Sequence, residues 1–162
     1  MYIKRKLNKS LESFKNLRNG SKSLAKSSHR FIVTLGVGGN VGDVRRRFTH
    51  LHVYLKKDKR VELLKTSSIL KNPPFGFTQQ SDFYNLVLVL KTSMQPVVFL
   101  DYLMRAEKKF SRKRSFANAP RTLDLDILFF DNRKIDMPKL KIPHPKWFER
   151  ESVLIPLMDM YR

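Results

Sequence analysis

Two stretches of helical period lie between four β-type runs, and that alternation does most to limit the fold. Val44, Phe48, Leu51 and Leu55 repeat at three and four residues, which predicts a helix over 44–55. Residues 96–110 repeat the pattern with Val97, Leu100, Leu103 and Met104. Around them, "FIVTL" (31–35), "VELLKTSSIL" (61–70), "FYNLVLVLKT" (83–92) and "LDLDILFF" (123–130) are rich in β-branched, aromatic and other apolar residues and read as strands. The order β-α-β-β-α-β predicts an α+β fold, a ferredoxin-like sandwich in which helices pack on an antiparallel sheet. A short helix near Pro145–Arg150 and the segment "SVLIPLMDM" (152–160) complete the chain.

A chain of 162 residues with 41% hydrophobic side chains suits one domain around one core. No apolar run approaches the roughly 18–20 residues needed to cross a bilayer. Cysteine is absent, which removes disulfides, thiolate metal sites and cysteine nucleophiles together. The net charge of +19 admits a nucleic acid, an anionic membrane surface, or a polyphosphate held in a site. Residues 1–30 carry nine basic side chains against Glu12 alone, and the rest of the excess is spread along the chain. In that segment Ile3, Leu7, Leu11, Phe14 and Leu17 recur at three- and four-residue spacing, predicting a basic amphipathic helix that stops at Asn19-Gly20. Such a helix would pack on the domain or on another subunit. A membrane-surface or targeting segment and a nucleic-acid arm are the alternatives. The expected division is therefore an extension over 1–30 and a globular domain over 31–162.

Within "NAPRTLDLDILFFD" (118–131), two aspartates interrupt an otherwise apolar strand. Side chains alternate along a strand, so Asp124 and Asp126 share one face with their Cα atoms roughly 6.6 Å apart. Leu123, Leu125 and Ile127 then face the core. Carboxylates that close repel each other unless a cation lies between them. Oxygen donors with no soft ligand point to Mg²⁺, and a carboxylate pair can bridge two such ions about 3.5–4 Å apart. An exposed polar edge, each aspartate paired with a lysine or arginine, is the alternative. Basic residues suited to a triphosphate flank the pair: Arg112, Arg114 and Arg121 before it, Lys139, Lys141, His144 and Arg150 after it.

Other stretches are less decisive. "GVGGNVGD" (36–43) has neither dinucleotide-fingerprint spacing nor a Gly-Lys-Ser/Thr, and reads as a tight strand-to-helix turn. Arg45–Arg47 read as solvated helix surface. "NPPFGF" and "DFYN" set Phe75, Phe83 and Asn85 around a stiff aromatic loop, which suits a flat heterocycle that stacks and is read at its edge.

"GGNVGD", "NPPFGFTQQSDFYN", "APRTLDLDILFFD" and "IPHPKWFERESVLIPLMD", in this order, resemble the 6-hydroxymethyl-7,8-dihydropterin pyrophosphokinase family over about residues 31–159. The resemblance implies a cytoplasmic kinase of folate biosynthesis that moves a pyrophosphoryl group from ATP to the pterin hydroxymethyl and releases AMP. It implies two Mg²⁺ ions on Asp124 and Asp126, carried on the open face of a central strand, with Arg112 and Arg121 sharing in catalysis. A pterin pocket would fall on Asn72, Pro73, Phe75, Phe83 and Asn85. ATP contacts would fall on Glu107, Arg112, Arg114, Arg121, Lys139, Lys141, His144 and Arg150. The partners implied are ATP and the pterin, with no nucleic acid and no stable membrane insertion. An RNA-binding sheet is disfavoured because carboxylates on its open face would repel a phosphate backbone. A catalytically impaired member that acts through its basic N-terminal segment is the other alternative.

Three departures from the family's usual pattern stand out. "RSFANAPR" replaces the usual "WGPR", with Asn118 near the missing tryptophan's place. Ser152 stands where an aromatic usually sandwiches the pterin, so either Phe75 or Trp147 compensates or pterin binding is weaker. The chain also ends soon after the last family segment and carries its extra residues in front.

Overall fold

The computed structural model describes residues 2–7, 11–16, 29–111 and 119–161. In chain order its elements are β1 (Tyr2–Lys6), β2 (Glu12–Asn16), β3 (Phe31–Gly39), α1 (Val44–Lys57), β4 (Val61–Thr66) and β5 (Ile69–Asn72). They continue with β6 (Phe83–Thr92), α2 (Pro96–Lys109), β7 (Asp124–Phe130), β8 (Ile135–Met137), β9 (Leu140–Ile142) and α3 (Glu151–Asp159). Seven strands form one sheet in the order β1-β2-β5-β6-β3-β7, with β4 also paired to β6, and every pairing is antiparallel. Strands β8 and β9 form a separate hairpin.

Period-two alternation sorts the sheet into two faces. Phe31, Val33, Leu35 and Val37 of β3 join Leu86, Leu88 and Leu90 of β6 and Leu125 and Ile127 of β7 in the main core. That face is covered by α1 through Val44, Phe48, Leu51 and Leu55, and by α2 through Phe99, Tyr102, Leu103 and Ala106. Each Val, Leu, Ile or Phe side chain among them, once buried, contributes about 1.5–3 kcal/mol. Asp43 caps α1, its carboxylate accepting the Arg46 N–H at 3.0 Å. On the opposite face α3 packs against β6 and β5, with Val153 beside Val87 and Leu128.

Several expectations are corrected. No helix covers the described part of residues 1–30: Tyr2–Lys6 and Glu12–Asn16 are strands, and β2 pairs with β5. Pairing of β2 with the edge of β5 and burial of Phe14 in the main core are tertiary interactions, and they override the three- and four-residue spacing. Leu17 and the expected stop at Asn19-Gly20 lie outside the described residues. The strand bearing the aspartates is the terminal strand of its sheet rather than a central one. The run 61–70 divides at Ser67-Ser68, where the Ser67 hydroxyl takes the place of a backbone acceptor for the Val87 N–H at 2.8 Å. Helix α2 buries Phe99, Tyr102, Leu103 and Ala106, leaving Val97 and Met104 exposed. Residues 145–149 form turns, and the last helix begins at Glu151.

Candidate active site

The site lies on the α3 face of the sheet, where β6, β3 and β7 run side by side. Asn85, Gly38 and Asp124 are cross-strand neighbours in one row, and Val87, Gly36 and Asp126 form the next. The two glycines floor the space between the side chains of β6 and those of β7. A Cβ at Gly38 would come within 2.7 Å of the Asn85 Oδ1 and 4.0 Å of the Asp124 Cβ. Glycine thus leaves no β3 side chain between the amide and the carboxylate. Leu123, Leu125 and Ile127 are buried on the other face, as the alternation predicts.

The amide end is organised by β5. Asn72 pairs with Phe83 across the strands, and the Asn85 Nδ2 donates to the Asn72 Oδ1 at 2.6 Å. The Asn72 Nδ2 in turn donates to the Pro73 carbonyl at 2.8 Å, holding the start of the following loop. At the other end Arg121 forms an ion pair with Asp124 and lies over the Phe83 ring at 5.7 Å. A cation therefore already sits against one carboxylate, and one guanidinium touches both the aromatic and the acidic sides.

Asn40 sets the position of Arg121. This buried amide accepts the Arg121 N–H at 2.9 Å, and its own backbone N–H donates to the Arg121 carbonyl at 2.9 Å. Its Nδ2 donates to the Gln80 Oε1 and the Ser81 carbonyl at 2.9 and 3.0 Å. One side chain thereby ties the glycine loop to the aromatic loop and to the approach to β7. Arg47 adds a second clamp, its Nη1 donating to the carbonyls of Val41 and Thr122 at 2.6 and 3.1 Å. Sequence reasoning missed Asn40 and treated Arg47 as solvated surface. The available signal was an amide within a strand-to-helix glycine loop, although its partners lie 40 and 81 residues away.

His144 approaches from beyond β7, its backbone N–H donating to the Leu128 carbonyl at 2.9 Å. Its Nδ1 accepts the Lys146 N–H at 3.2 Å. Burial first, then the charges of Arg150 and Lys146, push its pKa below the ordinary imidazole value, while Asp124 opposes them. The ring is thus held neutral beside a cationic rim.

The remaining expected residues are placed elsewhere. Glu107 is buried, and its carboxylate accepts the Leu125 N–H at 2.8 Å, at the outer edge of β7 between the two aspartates. Phe75 is 90% exposed, and Pro73 is exposed beside it. Lys139 and Lys141 are exposed on the β8–β9 hairpin, and the Lys141 Nζ meets Asp136 at 2.6 Å. Trp147 is committed to Phe129, with ring centroids 5.0 Å apart, and packs on the α3-side cluster around Val153. Ser152 is half-buried in the first turn of α3. Arg112, Arg114 and Asn118 lie outside the described residues.

The carboxylates also fit a hard divalent ion. Among the described residues no group of three or more His, Cys, Asp or Glu side chains could enclose a metal. An ion on Asp124 and Asp126 would draw its other ligands from phosphate oxygens and water, the usual manner for Mg²⁺.

A family model described as 7,8-dihydro-6-hydroxymethylpterin-pyrophosphokinase matches residues 34–162. The chain belongs to this family. A 2-amino-4-hydroxy-6-hydroxymethyldihydropteridine pyrophosphokinase of Helicobacter pylori is 41% identical over 127 residues, 77% of this chain and 78% of the relative. Its counterpart from Campylobacter jejuni is 41% identical over 131 residues, covering 80% and 83%. The Bacillus subtilis protein of the same name is 34% identical over 129 residues, covering 80% and 77%. The pyrophosphokinase match spans every residue of the two cross-strand rows, from Gly36 to Asp126. Among the described residues the fold of this family member is mixed, with an antiparallel sheet and three helices. Among the described residues no helix is long and apolar enough to cross a membrane.

Proposed function

We propose that this chain transfers the terminal pyrophosphoryl group of ATP to the hydroxymethyl group of 6-hydroxymethyl-7,8-dihydropterin, giving AMP and the pterin diphosphate for folate biosynthesis. The observation that carries the assignment is the row Asn85-Gly38-Asp124, in a chain that belongs to the pyrophosphokinase family. It faces an amide suited to a heterocycle's edge towards carboxylates suited to a phosphate-bound cation. Strand order β5-β6-β3-β7, joined through α1 and α2, supports a ferredoxin-like sandwich as the frame.

In this reading Asn72, Phe83 and Asn85 bind the pterin, Asn85 reading its edge and Phe83 one face, with Pro73 and Phe75 in the adjoining loop. Arg121, Arg150 and the neutral His144 receive the phosphates. Arg112, Arg114, Lys139 and Lys141 add charge on the nucleotide side, and Glu107 holds the strand that carries the metal ligands. Asp124 and Asp126 would hold two Mg²⁺ ions. Bound there, such ions would supply charge neutralisation of the triphosphate and would lower the pKa of the attacking hydroxyl. The bond that forms joins the pterin oxygen to the β-phosphorus. The bond that breaks links that phosphorus to the α–β bridging oxygen, which leaves with AMP, and the hydroxyl proton goes to solvent. No described side chain is needed as a general base. Holding the two substrates in line and matching charge supply most of the rate. The reading places the enzyme in the cytoplasm, working without nucleic acid, with 31–162 as the catalytic domain.

Mass spectrometry of a reaction with ATP, Mg²⁺ and the pterin tests the assignment. Equimolar AMP and a pterin carrying two added phosphates are expected. ADP with a singly phosphorylated pterin would overturn it.

A further inference from the structure

We propose that the β1–β2 hairpin is a positioning element for the heterocycle side of the site, seated by Phe14; this rests on the pterin-binding role of Asn72, Phe83 and Asn85. Residues 2–16 lie ahead of position 34, where the family match begins, so the hairpin adds to the matched fold. Among the described residues its strand pairing with that fold is to β5. Phe14, Ser13 and Glu12 pair with Ile69, Leu70 and Lys71, ending one residue before Asn72. Without β2, the four-residue β5 would be an edge strand with its outer backbone groups in solvent, and short edges open readily. Asn72 stands at the end of that strand, where opening begins.

Phe14 is the anchor. It is buried in the main core, with its ring 6.2 Å from that of Tyr84 and under the Arg45 guanidinium at 5.2 Å. Tyr84 lies between Phe83 and Asn85 on β6 and pairs with Lys71 on β5. Lys71 meets Asp82 at 3.3 Å, drawing the far end of the 73–82 loop back onto β5 directly before Phe83. Glu12 opposite Lys71 is held by Lys4 at 2.8 Å. One continuous set of contacts thus runs from the hairpin to both ends of the loop that carries the pterin residues. The carboxylates on β7 lie further across the sheet, beyond β6 and β3.

The consequence is a split between substrates. Loosening the hairpin frees Asn72 and the loop, while Asp124 and Asp126 stay on β7 and Arg121 keeps its carbonyl bond from the Asn40 backbone N–H, next to the Arg47 clamp on Thr122. The test measures kcat and both KM values in full-length Phe14→Ala, with Phe14→Leu as the conservative variant, at a temperature where circular dichroism shows each folded. Phe14→Ala is expected to raise KM for the pterin about tenfold, the equivalent of losing one well-placed hydrogen bond, with KM for ATP unchanged. Phe14→Leu restores most of the difference. An unchanged pterin KM, or equal changes in both KM values, overturns the proposal. Should Phe14→Ala not fold, Asp82→Asn on its exposed side chain decides: a higher pterin KM supports the proposal and an unchanged one overturns it. Wild-type protein without pterin-dependent AMP would overturn the reaction itself, whereas an active wild type with an unaltered Phe14→Ala overturns only the role of the hairpin.

Discussion

Replacing Gly38 with alanine tests the floor between Asn85 and Asp124 at the cost of one methyl group. The added carbon would lie 2.7 Å from the Asn85 Oδ1, against about 3.3 Å for an ordinary close C···O contact. The amide must therefore move by about 0.6 Å, measured against that contact. Its present position is fixed by the 2.6 Å hydrogen bond to Asn72, which the movement strains or breaks. Losing that bond costs about 1 kcal/mol, roughly fivefold in binding, and a misplacement approaching 1 Å costs up to about 100-fold. Folding should barely respond, because the positive-φ glycines are Gly42 and Gly76, not Gly38. Alanine at an extended position also stabilises by about 0.4–1 kcal/mol through the unfolded chain, offsetting the local strain. Steady-state kinetics should show kcat/KM for the pterin reduced about 5- to 100-fold, with KM for ATP and the melting temperature nearly unchanged. Gly38→Ala with wild-type kcat/KM for the pterin would refute the reasoning.

Two further perturbations probe the support beneath the site. Glu107→Leu leaves the buried Leu125 N–H without its acceptor, costing about 1–3 kcal/mol and several degrees of melting temperature, whereas Glu107→Gln keeps an acceptor and most of the stability. Equal melting temperatures for the two variants would count against that strand-holding role. His52 on α1 has its pKa lowered from 6.5 to about 4, by burial and then by Lys56. The unfolded chain therefore binds its proton first, and this group's share of stability is lost as pH falls from about 6.5 towards 4. Thermal melts across that range should show a shallower loss in His52→Gln than in wild type, and superimposable slopes would exclude the linkage.

The central part of this fold was legible because its signals are local. Val44, Phe48, Leu51 and Leu55 are the buried residues of α1, and the alternation Leu123-Asp124-Leu125-Asp126-Ile127 divides core from open face. The N-terminal hairpin was not legible. Leu7, Leu11 and Phe14 recur at helical spacing, and the feature that puts Phe14 on a strand is the edge of β5, more than fifty positions away. Helix α2 carries two overlapping apolar stripes, and only the packing against β7 selects the one through Phe99 and Ala106. At the site, charge and residue type marked Asp124, Asp126 and Arg121, but the distant partners of Asn40 and the buried setting of Glu107 have no local signature. Those depend on which backbone groups the glycine loop and β7 leave without strand partners.

The most direct test compares pterin-dependent AMP release, in the presence of ATP and Mg²⁺, by wild type and Asp126→Ala. Asp126 is half-buried on the open face of β7, so its truncation should leave the fold intact. AMP is expected from the wild type only when pterin is present, and none above background from a folded Asp126→Ala. Wild-type-like AMP release by that variant would contradict the role given to the carboxylate pair.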